Sequence, residues 1–195
     1  MDAEARARDI LMHYVKLWGE PANHRDFRYQ SPRLPESIRI YKFRLKDGID
    51  EWAFATVGMS QKALIHPSGA FDLRIELFLL CRPGEDQISD KLSQIAAYPL
   101  QLDTYFAEGH TVHGTPGHGI VDGSPLTDLV MTRADLGVVK DFVKHGDGTH
   151  THLFWVVPIS PKEREFAATQ GWPALRGRFE ARNTDVLDLT RLPVL

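Results

Sequence analysis

At 195 residues, 43% hydrophobic and 25% charged, the chain is long enough to bury a core, and its composition excludes the disordered, collagen-like and membrane-embedded classes. A net charge of -3 gives no overall basic field for nucleic acid, and no window stays apolar over the length a bilayer requires. The single cysteine, Cys81, cannot form an intramolecular disulfide, and the start MDAEARARDILMHYV lacks the apolar core of a secretory leader, so a cytoplasmic protein with neither nucleic acid nor membrane as partner is expected.

Residues 2–18 place Ile10, Tyr14 and Trp18 on one helical line, with Leu11 and Val15 beside it, and Gly19 and Pro21 end the pattern. Residues 23–37 are polar and broken by Pro32 and Pro35, which predicts an irregular connection. Its arginines Arg25, Arg28 and Arg33 read as a solvated loop rather than as a site for an acidic partner. Segments 38–45 and 52–57 read as strands, and Asp47-Gly48 between them predicts a hairpin. After a turn at 67–69, Phe71, Leu73, Ile75, Leu77 and Leu79 alternate along one face of a third strand, with Asp72, Arg74 and Glu76 opposite. Phe78 and Leu80 make the far end of this strand apolar on both faces, so it should run under a helix.

Residues 87–97 supply that helix through Ile88, Leu92, Ile95 and Ala96, and Pro99 should hold Tyr98 out of helical conformation. A shorter helical piece is predicted through Leu102 and Phe106, ending at Gly109, followed by a short strand at 110–113. The run GTPGHGIVDGSP at 114–125 predicts an irregular loop with a mobile tip. Segments 126–131 and 138–143 read as further strands, and His145-Gly146-Asp147-Gly148 turns the chain into the apolar run 153–157, a central strand ended by Pro158. Ser160, Pro161 and Glu163 then form a helix-capping box, and Gly171 stops that helix. Pro173 opens another, with Leu175 and Phe179 one turn apart; the tail 184–195 reads as irregular or as a final edge strand. No repeat or linker composition divides the chain, so residues 1–195 are expected to form a single domain, with 1–20 its N-terminal helix.

Chemistry is sparse. Nine histidines invite a metal, but His110 and His113 would point to opposite faces of a strand. His150 and His152 would share a face, with Asp141 or His145 as a further ligand, and they are the candidate pair for a metal-assisted hydrolase. No HExxH, CxxC or EF-hand pattern supports that reading, and no metal or other cofactor is expected. Cys81 reads as an inert core thiol. Neither Glu163 with Glu165 nor Asp185 with Asp188 forms an acid and base pair, and the loop at 114–119 lacks the ending of a phosphate loop.

The segments GMS at 58–60, RIEL at 74–77, AAYP at 96–99, GHTV at 109–112 and VVPISPKEREFAATQG at 156–171, with Asp188 and Arg191 near the end, resemble the suppressor-of-fused domain family, in particular its short single-domain bacterial members. The resemblance covers about residues 52–191. It implies an α+β fold, a mostly antiparallel mixed sheet with helices packed on it, and a role in binding proteins rather than in catalysis. Bacterial members are associated with immunity to polymorphic toxins, which implies a cognate toxin as partner. Eukaryotic members hold a transcription-factor peptide between this domain and a second one, and 195 residues leave no room for that clamp to transfer whole. The resemblance also implies partner contact at Tyr98 and His110. Gly109 occupies the family's acidic position, and Glu108, one residue earlier, is the acidic candidate. Three readings follow in order: a non-catalytic immunity-type protein that occludes its partner, the hydrolase using His150 and His152, and a regulator of a transcription factor.

Overall fold

The computed structural model describes residues 2–45, 50–66, 68–69, 72–115, 117–133 and 141–195. Helix α1 (Ala3–Trp18) leads into strand β1 (Asn23–Arg28), β2 (Ser37–Arg44) and β3 (Trp52–Val57). A short 3-10 turn (Met59–Gln61) precedes β4 (Ile75–Cys81) and helix α2 (Gln87–Gln101). Next come β5 (Thr111–Val112), β6 (Asp128–Arg133), β7 (Phe142–Lys144) and β8 (His150–Ile159), and the chain closes with helices α3 (Pro161–Gln170) and α4 (Trp172–Ala181). The strands form one sheet in the order β1-β2-β3-β4-β8-β6-β5, with β7 also pairing β8. Only β4 and β8 run parallel among these pairs; the others are antiparallel. The architecture is the α+β fold with a mostly antiparallel mixed sheet that the resemblance implies.

Alternation along the strands gives the sheet two apolar faces, as a period of two requires. Ile38, Ile40, Leu77, Leu79, Phe154 and Val156 face α2, through Ile88, Leu92 and Ala96. Tyr41, Phe43, Phe78, Leu80 and Leu153 face α1, through Ile10, Tyr14 and Trp18. On this second face Val130, Val157 and Ile159 lie under α3 and α4, against Ala167, Trp172, Leu175 and Phe179. Burial on both sides explains why β4 and the second half of β8 read as continuous apolar runs.

Helix α1 is also tied down by polar contacts. The buried Arg6 guanidinium donates to the hydroxyls of Thr151 and Thr149, and His145 Nδ1 lies 3.0 Å from Asp9. The capping box is present: Glu163 N–H donates to Ser160 Oγ, and Ser160 N–H donates to Glu163 Oε2 at 2.8 Å.

Several expectations are corrected. Residues 23–28, expected to be irregular, form strand β1, paired with β2 from Asn23↔Lys42 to Arg28↔Ser37. As an edge strand with little burial it needs no apolar alternation, which is why its sequence looks like a loop. Of its arginines, Arg25 pairs with Asp90 of α2 at 2.7 Å, and Arg33 in the following loop pairs with Asp103 at 2.9 Å. Glu76, expected on a polar face, is fully buried. Helix α2 runs through Pro99, so Tyr98 is helical. The lost Ile95 carbonyl bond falls two residues from the helix end, and the proline ring is buried. No helix forms at 102–109, where Phe106 instead turns into the core.

The loop after β5 is irregular as expected, and its second half is anchored: Ile120, Val121 and Ser124 are buried and Ser124 donates to the Leu189 carbonyl. Pro158 does not end β8; it sits opposite Leu129 in the ladder. Its carbonyl accepts from Arg191 at 3.2 Å. Both backbone groups of a residue in an antiparallel strand point the same way, so its missing N–H costs β6 nothing. The tail is irregular, with one parallel bridge, Arg82↔Asp188. The expected turn at Asp47-Gly48, Phe71 of the third strand, and residues 138–140 of the strand expected at 138–143, whose end is β7, lie outside the described residues.

Candidate partner-binding surface

Strand β5 is the end strand of the sheet, and no strand among the described residues pairs its outer edge. Two bonds fix its approach: Gly109 N–H donates to the Met131 carbonyl and Met131 N–H donates to the His110 carbonyl, both at 2.8 Å. Immediately after β5, Gly114 passes so close to β6 that an added Cβ would meet the Thr127 carbonyl oxygen at 1.8 Å. Only glycine fits there. The Gly114 amide donates to Asp128, a fully buried carboxylate that Arg164 Nε also reaches at 2.6 Å and His113 Nδ1 approaches at 3.3 Å.

Two clefts flank β5, and both are walled by Tyr98 and Val112. The first, about 400 Å³, brings Tyr98 and His110 together with Tyr105 and Phe106. Tyr98 is 42% exposed and stacks parallel to Phe106 with ring centroids 6.4 Å apart, while Tyr105 meets the His110 ring edge-on at 5.1 Å. Such offset and edge contacts hold aromatic rings in place without hiding their outer faces. The second cleft, about 290 Å³, is lined by Lys91, His113 and His118 beside Ile95 and Leu129. Glu108 is not on either wall; its half-exposed side chain turns to Arg133 at 3.7 Å. The structure therefore unites Tyr98 with His110 and leaves Glu108 at the rim. Nothing in the sequence pattern marks Tyr105, Phe106, Val112 or Lys91 as a site residue, although the adjacent aromatics at 105 and 106 are a usable signal.

The catalytic alternatives fare worse. His150 packs edge-on against Phe142 at 5.1 Å, and burial lowers the pKa of His152. Neither expected third ligand is available to them: both ring nitrogens of His145 face partners, Asp9 at 3.0 Å and Thr151 at 2.8 Å, and Asp141 is held by Arg133 at 3.2 Å. Among the described residues no three His, Cys, Asp or Glu side chains gather as ligands. Asp9, His145 and Thr151 form a line like that of a hydrolase triad. Thr151 is fully buried, however, and its Oγ1 also receives Arg6, so no substrate reaches that hydroxyl. Burial pushes the Cys81 thiol up to about 12, leaving it protonated and unreactive near neutrality.

These features define an α+β domain built on one mixed sheet, covered by helices on both faces and open at the β5 edge. Residues 35–192 match the model of the suppressor of fused protein (SUFU) family, and the chain belongs to that family. Its structure is similar to that of a SUFU homolog from Neisseria gonorrhoeae FA 1090, with a TM-score of 0.74 at 18% identity over 98% of each chain. It is also similar to a chain of the Sufu-Fu complex, with a TM-score of 0.68 at 13% identity over 98% of this chain and 91% of that one. Drosophila Suppressor of Fused gives a TM-score of 0.70 at 13% identity; all of this chain is covered, but only 54% of that protein. No curated protein sequence matches the chain significantly. Among the described residues no helix is long and apolar enough to cross a membrane.

Proposed function

We propose that the chain is a cytoplasmic, non-catalytic protein-binding domain, with residues 1–195 acting as one unit and the interface at the β5 edge around Tyr98, Glu108 and His110. The observation that carries this reading is the exposed Tyr98 ring standing between two clefts beside β5, whose outer edge pairs no strand among the described residues. Aromatic anchors in pockets dominate binding energy at protein interfaces, and an open strand edge supplies main-chain bonds to a partner. The likeness to a chain of the Sufu-Fu complex supports a protein as the partner. In its finer form the proposal is an immunity-type protein that covers a functional surface of a cognate toxin, with an interface of roughly 1,200–2,000 Å².

The test is the double variant Glu108→Ala with His110→Ala, assayed against the partner recovered from the source cells. Glu108 and Arg133 are both about half exposed, so losing their pair should cost at most ~1 kcal/mol of stability. Melting should be near parental while partner affinity falls at least about tenfold. A folded double variant that binds the partner with parental affinity removes this segment from the interface.

A further inference from the structure

The cleft beyond Tyr98 has a one-sided charge. Lys91 reaches it from α2, and His113 and His118 reach it from the segment after β5, while Ile95, Val112 and Leu129 supply apolar wall. No described carboxylate lines it. Asp128 lies behind His113, fully buried and already engaged by Arg164 and the Gly114 amide. His113 turns Nδ1 toward Asp128 at 3.3 Å, and its side chain is 59% exposed. The Lys91 ammonium over an apolar wall forms a receptor for an anion carried on a partly apolar chain.

We propose that this cleft is a subsite for an acidic side chain: an extended peptide segment of the partner, seated on the β5 edge, places an aspartate or glutamate carboxylate against the ammonium of Lys91. The inference rests on the interface reading above and adds to it the chemical class of the segment bound. Free anions are not the expected ligand, because Tyr98 and Val112 join this cleft to the aromatic one along the strand edge.

The probe is a set of fluorescent eight-residue peptides scanned at every position with Asp, Asn, Lys and Leu, titrated against the full chain. Shifts in the backbone amide resonances of residues 110–113 report which peptides occupy the β5 edge. Those peptides are expected to require an acidic residue at one position, with Asp→Asn weakening binding about tenfold. Lys91→Glu should abolish or reverse that preference, and Lys91→Met, which keeps the apolar stem, should abolish it while melting stays near parental. Peptides that occupy the edge with no acidic preference, or a preference that survives both Lys91 variants, overturn the subsite and leave the interface reading standing. If no peptide moves residues 110–113, the interface reading fails and the subsite falls with it.

Discussion

Glu163 joins the start of α3 to the C-terminal tail. Its carboxylate accepts from the Ser160 amide, from both terminal nitrogens of Arg191 at 2.9 and 3.1 Å, and from the Val194 amide at 2.8 Å. Both ion-pair partners are buried. Ser160→Ala should therefore cost about 1 kcal/mol, the ordinary loss of a cap, whereas Glu163→Ala strands a buried guanidinium and should cost ~3–5 kcal/mol. Urea midpoints decide this; equal small losses would reduce Glu163 to a capping residue. The cap was legible in sequence because it is local, while the Arg191 partnership, 28 positions away, was not.

Glu76 shows the same limit on reading residues from pattern. Alternation put it beside Asp72 and Arg74 on a polar face, but its carboxylate lies in the core, accepting from Thr56 and Ser60 hydroxyls and the Gly58 and Ser60 amides. Two segments that carry the family resemblance, 58–60 and 74–77, are thus two sides of one buried contact. Burial raises the Glu76 pKa, with these donors opposing the shift. A raised carboxyl holds its proton more tightly folded than unfolded, so its stabilisation is complete below the unfolded value of about 4.3 and is lost as pH rises to the folded value. Glu76→Gln should remove that slope: parental stability relative to the variant should decline as pH rises through this window. A relative gain instead would mean that the four donors hold the carboxylate ionised.

Among the elements, β4, β8 and the α3 start were read from sequence because burial on both faces or a local cap writes itself into consecutive residues. Strand β1 was not, since an edge strand is specified by backbone pairing to β2, with no apolar side-chain pattern. Pro99 misled for a related reason: the rule against proline in helices concerns the bond it removes, and near a helix end the cost is small. The two-residue β5 depends on a glycine rather than on a pattern. Gly114→Ala must push the chain away from Thr127, so it should disturb the Gly114–Asp128 bond and the β5 edge before the core. Amide exchange is expected to accelerate at residues 109–114 and to stay slow in β4 and β8; uniform acceleration would show that the glycine supports the whole fold instead.

For the molecule as a whole, fold class and family were legible in the order of segments; the structure bears out the first and the family match over residues 35–192 the second. The surface was only partly legible. Tyr98 and His110 came from the resemblance, but the aromatic cleft that unites them depends on Phe106 folding back under Tyr98, and the cationic cleft depends on α2 and β5 meeting in space. Sequence spacing records neither. The central claim, that function resides in a protein interface at the β5 edge, is tested most directly by a photo-crosslinking residue at Tyr98, compared with one at Met12. Met12 is 59% exposed on α1, the helix that covers the opposite face of the sheet. In the source cells Tyr98 should yield a discrete protein adduct that disappears when Glu108 and His110 are also replaced, and Met12 should yield none. An adduct from Met12 with none from Tyr98 would place the interface on the other face and contradict the account.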